Sequence, residues 1–180
     1  MRNSAWRVLA IDLTSRGFGF VVLEGQRTLV DWGVKGARSD KKSETLKKVS
    51  DLIRHYHPLI LVVEDCRGEG SRRCARVKHL LNDIRESAAK EGLKCCRISP
   101  LAMKKVFLAF HAGTKHEIAR AIGTQLSELS NQLPRYRKPW MSEDYRMAIF
   151  DAAAFGLTYF YLRQEQSARA DKRYSHKTGK

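Results

Sequence analysis

Val8-Leu9-Ala10-Ile11-Asp12 is an apolar run that ends on a carboxylate, and Leu13-Thr14-Ser15-Arg16-Gly17-Phe18-Gly19-Phe20-Val21-Val22-Leu23 follows as a polar turn and a second apolar run. Consecutive apolar residues of this kind match a strand buried on both faces. A carboxylate at the tip of such a strand costs free energy unless something pairs with it. Thr14, Ser15 and the two glycines allow a tight turn beside it. Asp12 either caps that turn through backbone amides or belongs to a group of carboxylates that meet in the fold. Where the other acidic residues fall decides between the two.

Downstream of Gly25, residues 28–34 read as a third strand, and three strands in close succession predict an antiparallel meander. A helix is expected from about Ser43, with Leu46, Val49, Leu52 and Ile53 on one side and Pro58 as its stop. Leu59-Ile60-Leu61-Val62-Val63 is apolar throughout and runs into Glu64-Asp65, so a second buried strand ends on carboxylates. A helix leading into such a strand implies a parallel partner reached by a right-handed crossover. With residues 8–12 as that partner, Asp12 and Glu64 emerge at the same edge of the sheet.

The remaining chain continues the α/β pattern. A basic, glycine-containing loop at 66–73 leads into a long helix expected over 71–91, with Val77, Leu80, Leu81, Ile84 and Ala88 on one face. Arg72, Arg73 and Arg76 load its beginning, against the helix dipole, which points to a bound anion or to a solvated basic face. A strand at 93–98 and a short helix opened by Ser99-Pro100 follow, the helix carrying Lys104 and Lys105 on its outer side. The next helix is expected over 114–129. Residues 130–141 combine Arg135, Arg137 and Lys138 with Tyr136 and Trp140, a composition that suits stacking on bases or packing onto the domain. The last helix is expected from Ser142 as N-cap. It carries Asp151 among small residues, with Asp144 seven positions earlier, two turns back. Residues 1–162 read as one domain and 163–180 as a basic, flexible tail.

Composition narrows the partner. Lys and Arg number 34 against 19 Asp and Glu, a net charge of +15, which points to a polyanion such as nucleic acid. The 43% hydrophobic content excludes a disordered chain. No apolar run approaches the ~20 residues of a membrane helix, so a soluble, cytoplasmic protein is expected. Cys66, Cys74, Cys95 and Cys96 match no zinc spacing and read as reduced thiols.

Asp12, Glu64 and Asp151 thus stand where a sequence should avoid acidic residues. Clustered carboxylates stay ionised only around cations, and oxygen donors without His or Cys favour Mg²⁺ or Mn²⁺. Two such ions about 4 Å apart can drive phosphodiester hydrolysis.

In this order the motifs resemble the RuvC-like Holliday junction resolvases of the RNase H-like superfamily, over roughly residues 7–162. The matching pieces are Leu9-Ala10-Ile11-Asp12-x-x-Ser15-Arg16-x-x-Gly19, Val62-Val63-Glu64, Ser99-Pro100 with Lys104-Lys105, Gly113-Thr114-Lys115-x-x-Ile118, and Asp151-Ala152-Ala153-Ala154. The resemblance implies an RNase H-like mixed five-stranded sheet flanked by helices. It further implies Mg²⁺-dependent incision of branched DNA in recombination and repair, with Mn²⁺ as a substitute, by a homodimer. Asp12, Glu64 and Asp151 would be metal ligands, with Asp144 or Glu143 as a fourth and Asp65 behind them. Lys104 and Lys115 would lie near the scissile phosphate, and Arg72, Arg73, Arg76 and Arg137 are expected on nucleic acid. The chain departs from the family pattern at Leu13-Thr14 (Pro-Gly), at Ala148 (His or Asp) and at Arg67-Gly68 (an aromatic wedge). A YqgF-type nuclease acting on structured RNA and a nucleic-acid-binding module with a decayed site are the alternatives.

Overall fold

Leu9, Ile11 and Leu13 lie on one face of β1 (Arg7–Thr14) and Val8, Ala10 and Asp12 on the other, because successive side chains of a strand alternate. The computed structural model, which describes residues 6–68 and 70–177, builds one core on each face. β2 (Gly17–Glu24) pairs antiparallel with β1 and sets Gly19 opposite Asp12. β3 (Leu29–Gly36) pairs antiparallel with β2. β4 (Ile60–Glu64) and β5 (Lys94–Ile98) add in parallel on the other side of β1, giving the order β3-β2-β1-β4-β5. The mixed five-stranded sheet and antiparallel meander expected from the sequence are those observed.

On the odd-numbered face of β1, Leu9, Ile11 and Leu13 pack with α1 (Lys41–Tyr56) and α2 (Ala75–Lys90) through Val49, Leu52, Ile53, Leu81 and Ile84. On the even-numbered face, Val8 and Ala10 meet α3 (Pro100–Leu108), α4 (Lys115–Gln125) and α5 (Met147–Lys177). Local sequence fixes the starts of these helices. Ser99 Oγ accepts from Ala102 N at 3.1 Å, and Thr114 forms a reciprocal capping box with Glu117, satisfying amides that the first turn leaves free. Helix α5 runs across β1 and β2 at close range. A Cβ on its Gly156 would stand 2.8 Å from Leu23 Cδ1 and 3.2 Å from Ala10 Cβ.

Several boundaries differ from the sequence expectation. Residues 71–74 are irregular and the helix begins at Ala75, so Arg72 and Arg73 precede it. Helix α4 stops at Gln125 and a 3-10 helix, Ser127–Gln132, follows, turned back by Ser130 Oγ donating to Gly123 O at 2.7 Å. Helix α5 begins at Met147 rather than Ser142, because Asp144 draws the preceding backbone into a turn through its bond from Arg146 N. Residues 163–177, expected as a separate tail, prolong α5 as helix, and 178–180 lie outside the described residues. Among the described residues no helix is long and apolar enough to cross a membrane.

Candidate active site

Strand alternation and register place the first two acids. Ala10 pairs with Val62 in the parallel β1–β4 ladder, and two residues further on are Asp12 and Glu64, at the same C-terminal edge. Both point to the face that α5 covers, and both are buried, at 4% and 7% exposure. The third acid depends on glycine. A Cβ at Gly19 would lie 2.2 Å from Ala148 O, so only glycine opposite Asp12 lets the first turn of α5 settle on β2. Asp151 follows Ala148 by three residues and is brought to the same edge.

Basic side chains compensate these acids. Arg73 Nε donates to Glu64 Oε2 at 2.5 Å, its Nη2 to Asp12, and its Nη1 to Leu13 O at 2.7 Å. Ser71 Oγ donates to Glu64 Oε1 at 2.8 Å. Lys115 Nζ, in the first turn of α4, sits 2.8 Å from Asp151 Oδ2 and 2.7 Å from Glu143 Oε1. The site is therefore two acid pairs, each bridged by one protein cation.

Proton affinities follow this layout. Burial, then the Asp151 charge, pushes the Asp12 carboxyl up to about 7, against the pull of Arg73 and Lys115. Asp151 is raised as well, again chiefly by burial, with Lys115 opposing. Burial works against the charge on Lys115, but Asp151 and Glu143 outweigh it and its affinity for the proton rises. Arg73 behaves in the same way between Asp12 and Glu64.

The structure brings Asp12 and Glu64 together on Arg73 and Asp151 and Glu143 together on Lys115, while Asp144 pairs with Arg146. The Asp144 carboxylate is taken by Arg146, through Nε at 3.1 Å and Nη2 at 2.7 Å, which holds it below the usual carboxylate range. Glu143 is the fourth acid linked to the set. Arg73, expected on nucleic acid, is paired with Asp12 and Glu64 in this structure. Asp65 accepts from Arg67 N at 3.2 Å and closes the turn after β4. Arg72, Arg76, Lys104 and Arg137 are exposed. Residues 71–74 are irregular rather than helical, which lets Ser71 and Arg73, two apart, both reach Glu64; no local signal in the sequence pairs them with it. All four cysteines are free.

The donor set is oxygen-only and includes two buried acids whose charge needs compensation, chemistry that fits a hard divalent ion. Among the described residues no three His, Cys, Asp or Glu side chains draw close enough to enclose a metal in this conformation. Arg73 and Lys115 occupy the carboxylates instead.

No protein-family model matches the sequence, and no curated protein does. Solved structures do match. Thermus thermophilus RuvC superposes with a TM-score of 0.64 at 19% identity, covering 88% of this chain and 96% of that one. This chain has the RuvC-like fold. The same RuvC in complex with Holliday junction substrate gives 0.61 at 18% identity, covering 88% and 95%. The yeast mitochondrial Holliday junction resolvase Ydc2 gives 0.59 at 13% identity, covering 94% and 85%. Within the RuvC-like fold, Ala148 forms with Gly19 a pair of small residues. A Cβ on Gly19 would lie 2.7 Å from Ala148 Cβ, so a larger side chain at either position would separate α5 from β2.

Proposed function

We propose that the protein is a divalent-metal-dependent endonuclease that hydrolyses phosphodiesters at branched DNA, Holliday junctions included, in recombination or repair. The observation that carries this reading is the meeting of Asp12, Glu64 and Asp151, from β1, β4 and α5, at one edge of a sheet with the RuvC-like fold in a chain of +15. In this reading Asp12, Glu64, Asp151 and Glu143 hold Mg²⁺, or Mn²⁺ in its place. When bound, the metal activates water and stabilises the leaving oxygen. A metal held there would take the place that Arg73 has at Asp12 and Glu64. Lys115, beside Asp151, would neutralise the scissile phosphate, and the exposed Arg72, Arg76, Lys104 and Arg137 would hold the nucleic-acid backbone. A homodimer would present two such sites to the paired strands of a junction.

The test compares four-way junction, flap, linear duplex and structured RNA with Mg²⁺ at one salt concentration, since salt governs affinity for all four. Junction cleavage that Asp12→Asn abolishes, with junction binding retained, is the expected result. Preferential RNA cleavage would move the assignment to the YqgF type, and cleavage unchanged in Asp12→Asn would end it.

One observation favours a second reading, a binding module without catalysis. Arg73 already satisfies both Asp12 and Glu64, as a site that never takes metal would require. Calorimetry with Mn²⁺ separates the two: a nuclease gives binding heat that Asp12→Asn and Asp151→Asn remove, and a decayed site gives none.

A further inference from the structure

We propose that residues 135–145 form a base-stacking platform for unpaired nucleobases of the strand beside the cleaved phosphate. The inference rests on the branched-DNA reading for the identity of that strand.

Tyr136, Trp140 and Tyr145 are 73%, 78% and 71% exposed. Burying an aromatic ring is strongly favourable, and the same chain buries Phe18, Phe107 and Phe150 completely or nearly so. Three exposed rings within ten residues leave apolar surface open to a stacking ligand. Two of the three rings have a partner in the protein. Tyr136 stands edge-on to His116 of α4 at 5.4 Å, and Lys138 Nζ lies 5.4 Å from the centre of the Trp140 ring.

Charge selects the occupant. Arg135, Arg137 and Lys138 alternate with the rings and are exposed. The acids of the segment, Glu143 and Asp144, are neutralised by Lys115 and Arg146. Rings among unopposed cations suit bases on a phosphate backbone, and every base offers a face to stack whatever its sequence.

Position ties the patch to the acids. Glu143 shares Lys115 with Asp151, and Trp140 is three residues before it. Three residues span at most about 10 Å, or about three base steps at ~3.4 Å each. The exit of the segment is fixed where Ala148 meets Gly19. The loop after β4 has Arg67 and Gly68 and no ring of its own.

The test uses the full chain in EDTA, where binding is read without cleavage. A dT 12-mer and a 12-mer of the same phosphates carrying abasic sites are end-labelled so that fluorescence anisotropy reads affinity in every variant, and tryptophan emission is followed alongside as the signal of stacking. The dT strand should quench the emission and bind about tenfold more tightly, the effect of roughly one stacked base. Trp140→Ala should lose the quenching and bring the two affinities together, and Trp140→Phe should keep the preference for bases. Circular dichroism should show all variants folded, since the ring is exposed. Equal binding of both strands by the native chain, or an undiminished base preference in Trp140→Ala, overturns the proposal. So does a Trp140→Ala variant that only shifts the protein from dimer to monomer in sedimentation, which would make the patch a contact between copies. Stacking is read without catalysis, so its failure leaves the nuclease reading standing. Failure to cleave any branched DNA would leave the stacking result intact.

Discussion

Arg73 Nε donates to Glu64 Oε2 at 2.5 Å, and the same guanidinium reaches Asp12, so one arginine from an irregular loop closes the gap between two parallel strands. Removing it leaves two buried carboxylates without their main compensating charge. Loss of one partner of a buried ion pair costs about 3–5 kcal/mol. Arg73→Ala should therefore melt roughly 10 °C or more below the native chain in EDTA. Added MgCl₂ should narrow that gap, because a ligand that binds only the folded state stabilises it. Thermal melts of both proteins with and without Mg²⁺ check this; a gap that Mg²⁺ leaves unchanged would show that Arg73 and the ion do not compete.

Glu143 and Asp144 are neighbours with different duties. Lys115 ties Glu143 to Asp151, whereas Arg146 holds Asp144 in the turn before α5. Glu143→Gln should lower Mn²⁺ affinity and junction cleavage, by about tenfold or more on the scale of groups that orient metal ligands. Asp144→Asn should leave both within about twofold and lower stability by less than ~1 kcal/mol, the usual worth of a largely solvated pair. Calorimetry and single-turnover cleavage on the two variants would distinguish them, and the reverse ranking would restore Asp144 as the fourth acid.

Gly156→Ala sets two effects against each other. Alanine in a helix interior gains about 1 kcal/mol over glycine. Here its methyl group would stand 2.8 Å from Leu23 Cδ1 and 3.2 Å from Ala10 Cβ, between α5 and the centre of the sheet. Overpacking of a tight core costs typically 1–3 kcal/mol, so the net change should be destabilising. A lowered urea midpoint with unchanged slope is the expected measurement.

Glu44 offers a pH test away from the acids. Its carboxylate accepts from the Ser39 hydroxyl, from the Ser39 and Arg38 amides and from Lys48, with the Ser39 bonds the largest influence, and its pKa falls to about 2. A depressed folded-state pKa gives stability that is present above the ordinary value of 4.5 and lost as pH falls through about 2. The native chain should therefore be more stable than Glu44→Gln at pH 7, and the difference should shrink between pH 4.5 and 2. Denaturant titrations of both across that range measure it; a constant difference would mean that the hydrogen bonds do not depend on the charge.

Much of the architecture was legible in one dimension because it depends on local patterns. The apolar runs at 8–11 and 59–63 mark strands buried on both faces, and the helix between them implies the parallel pairing that puts Asp12 beside Glu64. The Thr114 cap and the Ser99-Pro100 start are likewise chemistry between near neighbours. The start of α5 differs because a side chain bonds to nearby backbone, Asp144 accepting from the Arg146 amide. Such a bond competes with the helix that Ser142 would otherwise begin.

From sequence alone came the sheet, its meander, its crossover and the shared edge of Asp12 and Glu64, since periodicity and the cost of burying a charge are properties of short stretches; the packing of α5 on β2 brought Asp151 to that edge. Tertiary structure alone decided which cation answers which acid. Arg73 lies 61 residues from Asp12, and Glu143 lies 28 residues from the Lys115 that binds it. No local pattern encodes contacts at that separation; they exist because burial leaves each carboxylate in need of a partner, and packing determines which positive charge is within reach.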